Sequence, residues 1–445
     1  MNSSSTVDPD TIKESRYSWV VVLVLVLVFV TAFLDRQILS LLVDPIRVDL
    51  NISDSQVGLL QGFAFALFYS FCILPAGWLC DRYNRRNLLI AGVFLWTLMT
   101  IACGLAETYT QLFLARMGVG IGEAVLSPVA YSIICDYFPR RRWPFAIGVY
   151  SIGGALGAGL AYIFGAGATS AAMSVGDTLA VPVFGELRSW QLPFIIVGVP
   201  GLAVVFLCFV IREPARALRT TVLEAPVKLC RFFGDRVRLS ICYCLGIGLL
   251  NAISYANFSW IPTYFRRVHG WETSTTAIYL GVIMLVFGTA GTFSGGMVAM
   301  WLQRKYQDAT LRLAMWINIL LGPLCILAAL VPNPWVSLLL YAPVTYIMTS
   351  FVSLGPTSIQ LVSPPYLRGQ VTAFGLLGVN ILAISLGPSS VALLTDVVYR
   401  DDTMIAYSLA TAGGGLAATS TLFLWLALPA YRRSLLAAKA WGGGI

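Results

Sequence analysis

The chain of 445 residues contains one histidine, His269, and only 11% of its residues are Asp, Glu, Lys or Arg. A lone histidine excludes a His-ligated metal cluster and argues against a conventional His-centred relay. So few charges cannot cover the surface of a soluble fold of this length, where about a quarter of residues are normally charged. Nine cysteines are present, an odd number, and none forms a CxxC pair. Most lie in apolar runs, which points to small packing residues and not to a disulfide framework. What the sequence has in excess is apolar residues, 58%, with 40 glycines outside that figure. An ordinary soluble enzyme and a disordered chain are both excluded. Membrane-spanning helices are the natural home of such a composition.

A ruler of about 20 apolar residues per crossing gives twelve candidate spans. They run near 18–43, 56–79, 88–107, 111–134, 144–167, 190–211, 239–266, 275–301, 310–331, 335–360, 370–396 and 404–430. The first is longer than a signal-peptide core and no small-x-small cleavage site follows it, so it is expected to remain in the protein. The fold class predicted is all-α, with two pseudo-symmetric bundles of six helices. A tail over 1–17 precedes the first bundle, 18–211. A hydrophilic loop over 212–238 separates it from the second bundle, 239–430, and a tail over 431–445 follows.

Orientation follows from Lys and Arg. With both termini placed in the cytoplasm, the inner segments hold 22 of the 29 basic residues. Arg36, Arg47, Arg116, Arg188, Arg266, Arg267 and Arg400 are left over. The formal net charge of +8 is therefore read as a topology signal facing an anionic leaflet, not as a nucleic-acid surface. The halves echo each other faintly. Gly77 is followed eight and nine residues later by Arg85 and Arg86, and Gly296 at the same separation by Arg304 and Lys305. Six spans plus six around a basic loop is the layout of a secondary transporter.

The segment Gly77-Trp-Leu-Cys-Asp81-Arg82-Tyr-Asn-Arg85-Arg86 resembles the cytoplasmic signature of the major facilitator superfamily. Asn84 stands where that signature has a second glycine, and both residue types tolerate a left-handed turn. Gly77 is expected to permit close helix contact. Asp81 is expected to accept hydrogen bonds from a neighbouring helix end or an arginine, and with Arg82, Arg85 and Arg86 to form a conformational latch. Met300 replaces the aspartate in the second copy, so the latch is expected chiefly in the first half. Arg116-x-x-x-Gly120-x-Gly122 resembles the superfamily's second motif. It lies inside an apolar helix with no preceding strand, so it is not a phosphate-binding glycine loop. Gly120, Gly122, Gly153, Gly154 and Gly157 are expected to let spans four and five pack closely and slide.

A closer resemblance is to the spinster family of lipid transporters. It rests on Asp35-Arg36, on Asp81-Arg82-Tyr83-Asn84-Arg85-Arg86, and on Arg116-x-x-x-Gly120-x-Gly122-Glu123-Ala124. Pro128, Asp136-x-Phe138-Pro139 and Trp260-x-Pro262 extend it. It covers most of the first half and thinly covers the second. The resemblance implies a lysophospholipid- or sphingolipid-like substrate and leaves proton coupling open.

Only four ionisable groups lie well inside the spans: Asp35, Arg36, Arg116 and Glu123. All are in the first half, on spans one and four. Charge inside a bilayer costs about 3 kcal/mol or more per group and is usually functional. Glu123 is placed near the midplane by a rise of about 1.5 Å per residue. Glu123 is expected to be the main proton-exchanging carboxylate with Asp35 as its partner, and Arg36 and Arg116 to bind an anionic headgroup. A fixed salt-bridge network tying the two spans together is the competing reading. In the second half Asn251, Ser254, Tyr255, Asn257, Trp260, Tyr264, Tyr346, Thr349 and Ser353 are candidates to wall an amphipathic site. The substrate-binding choices there are Asn251, Tyr255, Trp260, Tyr346 and Thr349.

The function expected is alternating-access transport of an amphipathic lipid-like substrate, with protons as a candidate coupling ion. The alternative is a proton-coupled drug or organic-anion efflux carrier. A membrane-embedded lipid-modifying enzyme is a third class, disfavoured because no nucleophile–base pair or metal cluster is recognisable. No cofactor, catalytic residue, metal or nucleic-acid partner is expected. Membrane lipids surround the chain, which is expected to be a monomer in a bacterial inner membrane.

Overall fold

Val20 to Val30 alternates valine and leucine almost without interruption, a composition that would favour a strand in water. In hydrocarbon the backbone groups have no water to bond, and only a helix satisfies them within one segment. In the computed structural model, which describes residues 14–139, 142–174, 178–181, 185–214, 232–352, 354–363 and 368–439, this run is helix α1, Arg16–Leu41. Ser15 caps it, accepting from the Ser18 amide in a reciprocal capping box.

Seven further helices lead to a hairpin: α2 (Val43–Leu50), α3 (Asp54–Gln61), α4 (Phe63–Arg82), α5 (Arg85–Cys103), α6 (Tyr109–Glu123), α7 (Leu126–Tyr137) and α8 (Trp143–Ser174). The hairpin pairs β1 (Thr178–Val181) with β2 (Gly185–Arg188) antiparallel, Thr178 opposite Arg188 and Val181 opposite Gly185. Nothing in the apolar pattern predicts these strands. Helix α9, Leu192–Cys208, follows. After the central loop come α10 (Val237–His269), α11 (Thr273–Ile283), a π-turn over Met284–Gly288, and α12 (Thr289–Gln303). The chain continues as α13 (Ala309–Leu330), α14 (Pro334–Ser350), α15 (Leu354–Leu361) and α16 (Arg368–Leu393). A second π-turn over Leu394–Tyr399, a 3-10 turn at Asp402–Met404 and α17 (Ile405–Lys439) complete it.

Among the described residues, eleven helical segments are long and apolar enough to cross a bilayer. The sixth expected span is α9, whose 17 residues rise about 26 Å, just short of a hydrocarbon core about 30 Å thick. The structure is thus an all-α membrane protein apart from one small hairpin. The eight cysteines among the described residues are free thiols.

The chain divides into two compact units. Unit one holds residues up to Ile52, Ala64–Thr221 and Thr273–Gly281; unit two holds Ser53–Phe63, Val222–Glu272 and Val282–Ile445. Each unit therefore includes a short segment that the sequence order would give to the other half. Within unit two, Ser53–Phe63 is pinned by charge and by fit. Arg267 donates to both Asp54 oxygens at 2.6 and 2.8 Å, and the Ser55 amide donates to Asp396. At Gly58 a methyl group would meet Ala392, and at Gly62 the Ile384 carbonyl. Within unit one, a side chain at Gly281 would begin 2.7 Å from Ile163 and 2.9 Å from the Gly159 carbonyl.

Glycines set the helix contacts, but not between the partners expected. Gly120 brings α6 against the Phe65 carbonyl of α4, and Gly122 brings it against Trp96 of α5. Gly153, Gly154 and Gly157 seat α8 on Val26, Phe29, Val30 and Phe33 of α1. The expectation that these glycines pack spans four and five on each other is therefore corrected. Those of α6 serve α4 and α5, and those of α8 serve α1. In unit two, Gly291 and Gly295 of α12 pack on the backbone of α14, with Tyr346 and Ser350 carbonyls where a side chain would start.

Charged clasps tie helix ends in each unit. In unit one the buried Arg85 donates to Glu213 Oε1 at 2.7 Å, Ser132 Oγ at 2.9 Å and the Pro214 carbonyl at 3.0 Å, and pairs with Asp136. The Arg86 amide donates to the other Glu213 oxygen. In unit two the polarity is inverted. Asp308, at the start of α13, accepts from Arg312 at 3.0 and 3.1 Å and from Arg432 at 2.7 Å. Burial alone would raise the Asp308 pKa, but the hydrogen bonds from Arg312 and Arg432 outweigh it and hold the carboxyl below its ordinary value. A folded-state pKa below the unfolded one stabilises above the ordinary carboxylate range and loses that stability as pH falls through the folded value. Asp308→Asn is therefore expected to lower the Tm of the detergent-solubilised protein at pH 7. The gap from wild type should close as acid protonates Asp308; a gap constant down to strong acid would refute the assignment.

Candidate functional site

Span one carries Asp35 and Arg36 in the last third of α1, and span four carries Arg116 and Glu123 on α6. The chain breaks from helix over Ala124 and Val125 before α7 begins, so Glu123 ends its helix. The break is local: Ala124 and Val125 keep helical dihedrals and the Ala124 amide still bonds the Gly120 carbonyl, so α6 and α7 form one span with a local turn after Glu123. Gly120, between Arg116 and Glu123, lets α6 approach α4 closely.

The four groups meet in unit one. Arg36 donates from Nε to Glu123 Oε2 at 2.6 Å, and its Nη2 also pairs with that oxygen. Arg116 donates from Nη1 to the Asp35 carbonyl at 3.1 Å. Glu123 is 1% exposed, Arg116 2% and Asp35 4%. Within this cluster two buried side-chain atoms have no hydrogen-bond partner among the described residues: Glu123 Oε1 and Arg116 Nε. One is an acceptor able to take a proton and the other a donor able to take an anion.

Aromatic rings enclose the arginines, and sequence reasoning missed them. The Arg36 guanidinium lies 4.7 Å from the Phe65 ring centre, 5.2 Å from Tyr69 and 5.3 Å from Phe33. Arg116 lies 5.8 Å from Phe65. Phe65 and Tyr69 stack on one face of α4 at 5.3 Å. Farther along, Tyr150 stacks on Phe29 and meets Tyr131 edge-on. The i, i+4 spacing of Phe65 and Tyr69 was the available signal, but it is common in packing helices and names no partner.

The second-half candidates lie in unit two, mostly bonded within it. Trp260 is fully buried and donates to the Pro388 carbonyl at 2.9 Å. Tyr346 accepts from Ser294 at 2.7 Å, and Thr349 donates to the Thr345 carbonyl at 3.0 Å. Asn251 and Asn257 donate back to the Ile247 and Ile253 carbonyls of their own helix. Tyr264 is fully buried and meets His269 Nε2 at 2.9 Å and Ser337. Tyr255 is half-buried beside Gly387, and Ser254 is buried with its hydroxyl unpartnered. Ser353 lies outside the described residues.

The signature loop is reached from α4. The Asp81 side chain lies outside the described residues. Arg82 is exposed and stacks 3.9 Å over Trp78 of its own helix, whereas Arg85 is the buried member of the unit-one clasp. Arg86 keeps its side chain on Asn87. Two expectations are corrected here. Among the described residues nothing lies within 4 Å of where a Gly77 side chain would begin, so this glycine makes no close helix contact with them. Asn84 is extended (φ −63°, ψ 117°) and caps α5 by accepting from the Asn87 amide, so no left-handed turn is required.

The family model of the Major Facilitator Superfamily matches residues 25–388. The chain belongs to this superfamily. It is a multi-pass secondary transporter, and its site is to be read as a transporter's. An MFS-type efflux pump of Mycolicibacterium smegmatis is 25% identical over 95% of both chains. Protein spinster homolog 1 of Xenopus tropicalis is 30% identical over 57% of this chain, a match spanning 46% of the frog protein. In three dimensions the chain resembles the crystal structure of a bacterial homologue of the human lysosomal transporter Spinster, in an inward-facing and unoccupied conformation. The identity is 26%, the TM-score 0.73, and the match covers 96% of this chain and 98% of that one. The chain is thus a spinster-like superfamily member.

Proposed function

We propose that the protein moves an amphipathic lysophospholipid- or sphingolipid-like anion across a bacterial inner membrane by alternating access, coupled to protons. The observation that carries this reading is the buried cluster of Asp35, Arg36, Arg116 and Glu123, with one free acceptor and one free donor against aromatic walls. In this mechanism Glu123 holds Arg36 while ionised. Protonation of Glu123 ends the ion pair and frees the Arg36 guanidinium for a phosphate or carboxylate, which Arg116 Nε also reaches. Asp35 is assigned as the second proton-exchanging carboxylate, next to Arg36 in sequence and with its backbone carbonyl held by Arg116. The rings accept the apolar part next to the headgroup. Asn251, Tyr255, Trp260, Tyr346 and Thr349 are assigned to the wall of the second half, Tyr255 as its direct contact and Trp260 as its packing support. The Gly77–Arg86 loop, with Asp81 and Arg82, is assigned as the latch that alternates, anchored by the Arg85 clasp. The monomer is the working unit.

The full-length likeness to an efflux pump favours, as a second reading, proton-coupled export of an organic anion or drug. Uptake into proteoliposomes distinguishes the two. Labelled lysophospholipid should accumulate faster with an imposed pH gradient, and Glu123→Gln should remove that acceleration. No lysophospholipid uptake with or without the gradient, alongside gradient-driven movement of a small organic anion, would replace the first reading with the second. Gradient-independent uptake unaffected by Glu123→Gln would leave a facilitator.

A further inference from the structure

Beyond Arg86 helix α5 carries no charge, but one of its faces is polar. Trp96, Thr100 and Cys103 recur at i, i+4 and i+7, the spacing of a single helix face, and none is more than 2% exposed. Glycines of α6 set the register of this face within unit one. A side chain at Gly122 would begin 2.8 Å from Trp96 Cβ, and one at Gly118 would begin 2.5 Å from Met99 Cγ. The two helices are therefore antiparallel, and Thr100 and Cys103 lie toward the Arg116 end of α6. The Thr100 methyl faces Gly198 of α9, 3.5 Å from where a side chain there would begin. A β-branched side chain has one stiff torsion, so placing the methyl places the hydroxyl too. That hydroxyl faces the Asp35 carboxyl of α1. It stops short of a hydrogen bond, and Thr100 Oγ1 is buried without a partner among the described residues.

The charged groups around Asp35 leave its carboxyl to this neighbour. Glu123, Arg116 and Arg36 all face it, and the Cys103 thiol lies between Asp35 and Arg116 in charge range of both. Yet Arg36 is bonded to Glu123, and Arg116 spends Nη1 on the Asp35 backbone carbonyl. Among the described residues no arginine bonds the carboxyl itself. An arginine could in any case only donate, whereas a hydroxyl donates to a carboxylate and accepts from the protonated acid. We propose that Thr100 is the positioning residue of Asp35: its hydroxyl closes on the Asp35 carboxyl and holds it in one orientation through both protonation states. This role rests on the reading of Asp35 as a proton-exchanging group, whereas the contact can be read without it.

The test crosses two substitutions with two readouts. Thr100→Val keeps a methyl against Gly198 and deletes the hydroxyl; Thr100→Ser keeps the hydroxyl and deletes the methyl. Infrared spectra of protein carrying isotope-labelled aspartate contain the Asp35 band in either protonation state, assigned by its loss in Asp35→Asn. Thr100→Val should shift that band toward the position of a carboxyl without a hydrogen bond, and Thr100→Ser should leave it in place. In proteoliposomes Thr100→Val should slow gradient-driven uptake of labelled lysophospholipid by about ten-fold, the worth of one hydrogen bond to a carboxyl. Thr100→Ser should transport like wild type. A band unmoved by Thr100→Val, or moved equally by Thr100→Ser, would overturn the contact and the proposal with it. A shifted band with wild-type uptake in Thr100→Val would overturn the positioning role if Asp35→Asn is inactive, and the proton reading of Asp35 if that variant is active.

Discussion

Arg36→Gln is expected to reduce transport to background and to destabilise the protein by about 3–5 kcal/mol, because it leaves Glu123 as a buried uncompensated carboxylate. Glu123→Gln should also abolish proton-driven transport, but at a smaller cost in stability. Arg36 keeps three aromatic rings around its guanidinium, and its side chain is 15% exposed against none for Glu123. Combining the two substitutions should recover most of the stability lost in Arg36→Gln while leaving transport absent. Thermal unfolding of the purified variants, read beside proteoliposome uptake, resolves all three. Equal destabilisation by the two single variants would show that the rings do not support Arg36. Wild-type transport in the double variant would reduce the pair to a structural tie.

Gly295→Ala should be nearly as damaging, without touching any charge. The added methyl group would fall on the Ser350 carbonyl and its attached carbon, both backbone atoms of α14. Ordinary overpacking costs about 1–3 kcal/mol because side chains can yield; here two helix backbones must part. Expected outcomes are a large loss of monodisperse protein in size-exclusion chromatography and loss of uptake in whatever survives. Gly77→Ala is the matched control, since open space surrounds that site and alanine favours the helix. Its stability should equal or exceed wild type. If its transport nevertheless fails, Gly77 is needed in a conformation other than the one described. Gly295→Ala with wild-type yield and uptake would mean that α12 and α14 move apart freely.

The helices were legible because a bilayer permits little else: apolar length alone located α1 despite its valines. Position within the helices was harder to read. Residue counting placed Asp35, Arg36, Arg116 and Glu123 on two spans, and the fold brings them together. It could not supply Phe65 and Tyr69, because a ring looks the same in sequence whether it faces lipid or a guanidinium. Charge away from the signature motif misled by being local. Arg267 was a remainder in the topology count, yet it pairs with Asp54, 213 residues away in sequence. That pairing places Ser53–Phe63 in unit two, a long-range fact that no local pattern encodes. The hairpin over 178–188 was missed because its strands are only four residues long. Asn84 was misread from its residue type: asparagine serves left-handed turns and helix N-caps alike, and here it is a cap.

The inverted clasps bear on how a two-part chain is assembled. Two bundles with similar helices could exchange them during insertion, when the first is complete and the second is still emerging. Were α13 to dock in place of α5, Asp308 would meet Asp136 and Glu213, acid against acid. Were α5 to take the place of α13, Arg85 would confront Arg432. The third helix of each bundle is thus moored at its start by a charge of opposite sign, a buried arginine in one and a buried aspartate in the other.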